Sequence, residues 1–332
     1  MKANRLYLMF LVLLQVMFTS ACSKDDEGLP EKERPIDQGV LYYSAAGELI
    51  RYDFSSKKRV SLFSGGDHYS VSQDAKRFIW YKNNFGDGTT SVQVHNSSNP
   101  SEYQLITLPY ILDQTPKFIP GSENQYVALA RAADGAVKRQ DLVLFSSDDE
   151  VVSGRIPHVK AFAISPNAQD LIISAEAFSP SGEHMGYALA VIKNFRSSSG
   201  QESFTISEYP DYETLPEDIA VSANGQELVF TQLDHLYTIS IVEDAKPIQI
   251  TQSRFREVDA AWSKDGNYII FTANVSNPAL DCGEIRIIAA HPGSAVPIPE
   301  DEVNNEPVDE LQPIDTKGKT IHACGSESYL WL

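Results

Sequence analysis

From about residue 40 to the end, short apolar runs alternate with polar, Gly- and Pro-containing stretches, and one arrangement of them recurs. Val71-Ser72-Gln73-Asp74-Ala75-Lys76-Arg77-Phe78-Ile79-Trp80 is echoed by Ile164-Ser165-Pro166-Asn167-Ala168 and its following run Leu171-Ile172-Ile173. It returns as Val221-Ser222-Ala223-Asn224-Gly225 before Leu228-Val229-Phe230, and in its best form as Trp262-Ser263-Lys264-Asp265-Gly266 before Ile269-Ile270-Phe271. Weaker copies are Phe118 to Val127 and Ile314 to Ile321. In each, an apolar strand ends at Ser, and Asp or Asn followed by Gly or Ala forms a tight turn, because Asx bonds its own backbone and Gly supplies positive φ. The run after the turn has no polar alternation, which predicts a strand buried on both faces. Third strands are predicted at Leu236–Ile239 and Glu284–Ile288, and a fourth at Pro247–Thr251.

The copies fall about 40–57 residues apart, the length of one propeller blade. A single four-stranded blade leaves both faces exposed, and a closed ring buries them. The pattern apolar-Ser-x-Asp-Gly-x-x-apolar-apolar-Phe, with a later Ile-Gln-Ile-Thr strand at 248–251, resembles the TolB-like (WD40-like) β-propeller repeat. The resemblance spans about residues 39–332 and is strongest at 217–251 and 258–290. It implies an all-β fold, a β-propeller of four-stranded blades. Six motif copies favour six blades. The N-terminal runs Val40–Tyr43, Leu49–Asp53 and Val60–Phe63, with the C-terminal runs Leu311–Ile314, Thr320–Ala323 and Ser328–Trp331, are expected to share the closing blade, and their number leaves a seventh, incomplete blade open.

Ahead of the repeats, Lys2 and Arg5 precede an apolar run, Leu6–Phe18, that is shorter than the roughly 20 residues a membrane span needs. Thr19-Ser20-Ala21 leads directly into Cys22. This is the order of a secretory signal peptide, and it resembles the bacterial lipobox, in which the cysteine is acylated; Thr19 stands where that pattern prefers Leu. The acidic stretch Ser23-Lys24-Asp25-Asp26-Glu27 is similar to the surface-export signal of Bacteroidetes lipoproteins. The expected organisation is a signal peptide over 1–21, a lipidated flexible tether over 22–38 and a propeller over 39–332, in an outer-membrane lipoprotein facing the cell surface, with the periplasmic face as the alternative.

The charge narrows the partners. With 27 Lys plus Arg against 45 Asp plus Glu, the formal charge is −18. Such a chain has few cations for phosphate contacts, which excludes nucleic acid as the expected partner. Attachment to an anionic membrane is expected through the lipid alone, since an acidic surface is repelled there. Three cysteines are too few for a disulfide scaffold, and no C-x-x-C suggests zinc. Cys282 and Cys324 flank what the propeller resemblance implies are equivalent loops of adjacent blades, and an exported pair there is expected to bridge.

Candidate chemistry is sparse. There is no G-x-S-x-G, H-E-x-x-H or phosphate-binding glycine loop, and Ser55-Ser56-Lys57-Lys58 reads as a hairpin turn. The seven histidines are scattered singly, and the acidic runs 148–150 and 300–302 lack calcium-loop spacing. No cofactor, metal or catalytic residue is expected. In a propeller, the loops leading into the innermost strands ring the channel mouth. Here they carry His68, Asp113, His158, Tyr212, Arg254 and Arg256, with Asp309-Glu310 in the last. Arg, Tyr and His converging from separate loops suit a polar or anionic ligand. The function read from the sequence is a monomeric, non-catalytic binding scaffold for a protein, peptide or glycan. A TolB-like envelope-assembly component and a propeller enzyme of the oligosaccharide-lyase type, drawing on His68 and His158, are the alternatives.

Overall fold

The computed structural model describes residues 38–45, 47–66, 69–122, 124–131, 140–146, 152–179, 181–197, 200–273, 283–297, 309–310 and 324–332. Its compact unit runs from Asp37 to Leu332. Among the described residues every regular element is a β-strand, and no helix is long and apolar enough to cross a membrane.

The strands form six blades. Blade 1 is Tyr69–Val71, Arg77–Asn84, Thr89–Asn96 and Asn99–Leu108; blade 2 is Lys117–Phe118, Gln125–Arg131, Gln140–Ser146 and Val152–Ile156. Blade 3 is Val159–Ile164, Leu171–Phe178, His184–Lys193 and Glu202–Tyr209; blade 4 is Glu217–Val221, Glu227–Gln232, His235–Ser240 and Ile248–Gln249. Blade 5 has Glu257–Trp262, Tyr268–Ala273 and Gly283–Ala289, with Asp309–Glu310 paired to the last of these. Blade 6 places Cys324–Trp331 innermost, followed outward by Val40–Ala45, Glu48–Asp53 and Lys58–Ser64. The two chain ends therefore share one blade and close the ring, which leaves no open edge there. A backbone pair cements the seam, with Val40 N donating to Leu332 O and Leu332 N to Val40 O, both at 2.9 Å.

The repeated motif is a hydrogen-bonded lock. Ser72, Ser165, Ser222 and Ser263 are all buried, and each Oγ donates to the Asp or Asn two residues on, at 2.6–2.8 Å. Each Oγ also accepts the backbone N–H five residues on, at 2.9–3.0 Å. The turn residue between them has positive φ, 56° at Ala75 and Ala168, 74° at Gly225 and 77° at Gly266. Blade 2 keeps the turn through Gly121 (φ 71°) without the serine. Blade 6 needs no turn motif between its first two strands, because Cys324–Trp331 and Val40–Ala45 are not consecutive in the chain. The copy at Ile314–Ile321 and the predicted strands Leu311–Ile314 and Thr320–Ala323 lie outside the described residues.

The cores lie between blades, and this explains the missing alternation in the second strands. In Gln125–Arg131, Tyr126, Ala128 and Ala130 pack with Ile79 and Val92 of blade 1, while Val127 and Leu129 pack with Phe162 and Ile173 of blade 3. In Glu227–Gln232, Leu228 and Phe230 face blade 3 and Val229 faces blade 5. Fully burying a Phe or Leu contributes about 1.5–3 kcal/mol, so each second strand anchors two interfaces at once.

Two positions differ from the sequence expectation. Asp309–Glu310 pairs with Ile287 and Arg286 at the outer side of blade 5 rather than leading into an innermost strand. Cys324 opens the innermost strand of blade 6, opposite Glu284, instead of following a second strand. Both fit one arrangement, in which the final strand lies inside three N-terminal strands. Ser55-Ser56-Lys57-Lys58 is a turn, as expected, with Asp53 Oδ1 accepting Ser55 Oγ at 2.6 Å and Ser56 N at 3.0 Å.

Candidate binding channel and its rim

Innermost strands from all six blades wall a central cavity of about 1260 Å³. Its lining includes Ser70, Lys117, Ala163, Ala220, Ala261 and Leu330, one from each blade. Small side chains dominate these six and keep the channel open; Lys117 is the one cation among them. The ammonium lies over the Phe162 ring, 5.1 Å from the centroid. Desolvation pushes the Lys117 pKa down, and the negative charges of Asp218 and Asp259 partly oppose that shift.

These two aspartates occupy equivalent places in blades 4 and 5, four residues before the motif serine. Each sits in a β-bulge where the register slips, between Glu217 and Ala220 in one blade and between Val258 and Ala261 in the next. Asp218 has φ 51° and Asp259 φ 57°, a left-handed conformation that costs an L-residue about 1 kcal/mol or more. The bulges turn both residues onto the channel wall.

At the rim, each predicted residue among the described ones is already engaged. Asp113 accepts from Arg131 Nε at 2.8 Å and Gln140 Nε2 at 3.3 Å. His158 Nδ1 is 3.1 Å from Glu176 Oε2, and its backbone N–H donates to the buried Asp141, which pairs with Arg155. Lys160 Nζ donates to Tyr212 O at 3.0 Å and lies 5.0 Å over the Tyr212 ring. Burial pushes the Tyr212 phenol up to about 12, reinforced by Glu176, Glu213, Glu217 and Tyr187. Arg256 pairs with Glu217 at 3.3 Å and Asp234 at 3.9 Å, and Arg254 lies 5.7 Å from the Phe255 centroid.

The structure thus pairs His158 with Glu176 and Arg256 with Glu217 on the face that carries Tyr212. A chain of rings runs in an arc on the same face: His158 to Phe178 at 5.0 Å, Phe178 to His184 at 5.5 Å, His184 to Tyr187 at 5.0 Å and Tyr187 to Tyr212 at 6.2 Å. Phe178 and Met185 are exposed there. Asp113 stands apart from the arc and lines the channel. His68, Cys22 and Cys282 lie outside the described residues, as does the side chain of Cys324.

Sequence reasoning missed Lys117, Asp218 and Asp259. A signal existed for the aspartates: both strongest copies carry Asp four residues before the serine, in Asp218-Ile219-Ala220-Val221-Ser222 and Asp259-Ala260-Ala261-Trp262-Ser263. Nothing in the sequence shows that Lys117 faces them.

A six-bladed ring, closed by three N-terminal strands around a C-terminal one, places the chain among the β-propellers. Comparison with solved structures agrees. A candidate TolB from Agrobacterium tumefaciens aligns over 88% of this chain and 96% of its own, with TM-score 0.55 and 10% identity. The β-propeller domain of Cps50 (Swd1) from Myceliophteria thermophila aligns over 80% and 84%, with TM-score 0.52 and 12% identity. The periplasmic gluconolactonase PpgL of Pseudomonas aeruginosa aligns over 89% and 99%, with TM-score 0.51 and 11% identity. These likenesses establish the TolB-like and WD40-like propeller fold. No protein-family profile matches the chain, and no curated protein matches it by sequence.

Proposed function

We propose that this chain is an exported lipoprotein, acylated at Cys22, whose propeller is a non-catalytic binding scaffold for a protein or glycan partner. The observation that carries the binding role is the aromatic arc from His158 to Tyr212, with Phe178 and Met185 exposed along it and Arg256, paired with Glu217, on the same face. Aromatic and Met side chains edged by Arg are the composition of recognition surfaces. The hairpin tips Phe85 and Leu233 are exposed on the same face, where the innermost strands begin. Capture from intact cells with the full chain tests the reading. Phe178→Ala combined with Arg254→Ala and Arg256→Ala is expected to abolish recovery of a specific partner; unchanged recovery overturns it.

The N-terminal address supports the export half of the reading. Mass spectrometry of the mature N-terminus is expected to find an acylated Cys22, and an unmodified cysteine there removes the anchor from the proposal. The same location makes a Cys282–Cys324 bridge the expected state, since an exported pair of thiols meets oxidising conditions. Alkylation of the denatured, unreduced protein is expected to leave both thiols unlabelled. The TolB-like neighbour favours a second reading, an envelope-assembly component, which recovery of envelope proteins rather than glycans distinguishes.

A further inference from the structure

Two devices of the fold push apolar side chains into solvent on the face where the innermost strands begin. In blade 3 the ladder pairs Ala177 with Gly186 and Phe178 with His184, so Met185 is the extra residue of a β-bulge. A bulge re-aims the side chain it carries, and Met185 is 68% exposed. In blade 4, Gln232 pairs with His235 and leaves a two-residue turn, Leu233-Asp234, with φ 48° and 68°. Positive φ at both positions suits Asn-Gly, and a bulky side chain rarely adopts it. Leu233 thus bears backbone strain and still keeps its side chain 60% exposed. Strain held at a solvent-facing position is a mark of functional sites.

Each displayed side chain has an exposed carboxylate within two residues, Glu183 before Met185 and Asp234 after Leu233. The blade 1 hairpin repeats the pairing, with Phe85 exposed and Asp87 two residues on. None of the three hairpin tips, 85–88, 179–185 and 233–234, carries Lys or Arg. On neighbouring loops Arg131 and Arg256 are held by Asp113 at 2.8 Å and Glu217 at 3.3 Å. Asp234 lies 3.9 Å from Arg256 Nε, and its side chain stays 67% exposed.

The charge selects the occupant. An acidic partner, or a second copy of this −18 chain, would be repelled. A neutral glycan would desolvate the carboxylates and offer no countercharge. A partner that presents apolar and cationic side chains together covers the first group and pairs the second. We propose that the hairpin tips of blades 3 and 4 dock a cationic, amphipathic segment of a protein. Its apolar side chains cover Phe178, Met185 and Leu233, and its Lys or Arg side chains face Glu183 and Asp234. The flexible thioether of Met185 adapts to apolar side chains of varied shape. The site depends on the propeller being a binding scaffold, and it fixes the chemistry of the partner.

Selection of a random dodecapeptide display library on the full chain tests it, at physiological ionic strength with excess oligolysine to remove attraction to net charge alone. Enriched peptides are expected to combine Lys or Arg with Leu, Phe or Trp. A synthetic copy of the most enriched one is expected to bind saturably by fluorescence anisotropy, and replacing its Lys and Arg by Glu to weaken binding about tenfold or more. Met185→Ser with Leu233→Asn is expected to lose about tenfold or more. The urea midpoint of that variant is expected to stay equal or rise, because Asn accepts the left-handed turn. Glu183→Gln with Asp234→Asn is expected to lose about three- to tenfold. Val242→Ser with Ile248→Ser, exposed beyond the third strand of blade 4, is expected to bind as wild type. Enriched peptides without Lys or Arg, or wild-type affinity in Met185→Ser with Leu233→Asn, overturn the proposal and leave the scaffold reading standing. Enrichment of no peptide overturns the proposal as well, and the scaffold reading is then decided by cellular capture alone.

Discussion

The Trp331 indole stacks on the Phe54 ring, with centroids 4.8 Å apart and planes 21° apart. One ring comes from the last strand of the chain and the other from the hairpin after the third strand of the same blade, so the contact spans the ring closure. Tyr268 of blade 5 stacks on the other partner of this seam, 6.2 Å from Trp331. Deleting a large buried aromatic costs about 3–5 kcal/mol. Trp331→Ala is expected to lower the urea midpoint accordingly, and a double-mutant cycle with Phe54→Ala is expected to show coupling between them. Additive losses would mean that the stack contributes nothing beyond burial.

Gly39 supplies a sharper test of the same seam. It has φ 97°, and a Cβ there would meet Trp331 Nε1 at 2.7 Å and Leu332 O at 2.8 Å. Neither the backbone oxygen nor the packed indole can move without opening the closure. Gly39→Ala is therefore expected to destabilise by about 1–3 kcal/mol. Gly266→Ala, where φ is 77° but the space is open, is expected to cost only the backbone strain, about 1 kcal/mol. Equal midpoints for the two variants in urea would contradict this ordering.

The serine locks predict an acid dependence. The Ser72 hydroxyl chiefly holds the Asp74 carboxyl below its ordinary value. At Asp265 burial pushes the other way, and the hydrogen bonds from Ser263 and Asn267 overcome it. A carboxyl lowered in the folded state adds stability that is complete above the unfolded value, about 3.9, and is lost as pH falls through the folded one. Ser263→Ala together with Ser72→Ala is expected to be most destabilising at neutral pH and less so in strong acid, where only the cost of the lost backbone bonds to Arg77 N and Tyr268 N remains. Denaturant midpoints between pH 7 and pH 2 measure it; a pH-independent difference would locate the serine contribution in the backbone bonds alone.

How much of this could be read in advance depends on how local each feature is. The Ser-x-Asp-Gly lock lies within six residues, so the sequence exposes both its chemistry and its register. The doubly buried second strands were legible because Leu228-Val229-Phe230 and Ile269-Ile270-Phe271 offer no polar face. Closure was half legible: the shared blade was expected, but the innermost place of Cys324–Trp331 has no local mark, because no turn joins it to its neighbour Val40–Ala45. The rim residues were found as residues, yet the pairing of Asp113 with Arg131 and of Arg256 with Glu217 joins segments far apart in sequence. Lys117 and the two bulged aspartates line one channel only because the ring closes.

Glu257 is the strongest case of a group the sequence disguises, since it follows Arg254-Phe255-Arg256 in an apparently solvated loop and is 0% exposed. It accepts hydrogen bonds from Thr251 Oγ1 and from Leu236 N at 3.1 Å, and His235 Nδ1 lies 3.8 Å away. Burial dominates nonetheless and raises its pKa against those partners. A carboxyl raised in the folded state contributes most below its unfolded value, about 4.3, and that contribution drains away as pH rises through the folded value. Glu257→Gln removes the titration while its amide oxygen keeps both hydrogen bonds. The stability of Glu257→Gln relative to wild type is therefore expected to improve steadily as pH rises from about 4, whatever fixed cost the substitution carries. Urea midpoints of the two proteins measured in parallel from pH 4 to pH 8 read this directly. A flat difference would show that Thr251, Leu236 and His235 together hold the carboxylate ionised against its burial.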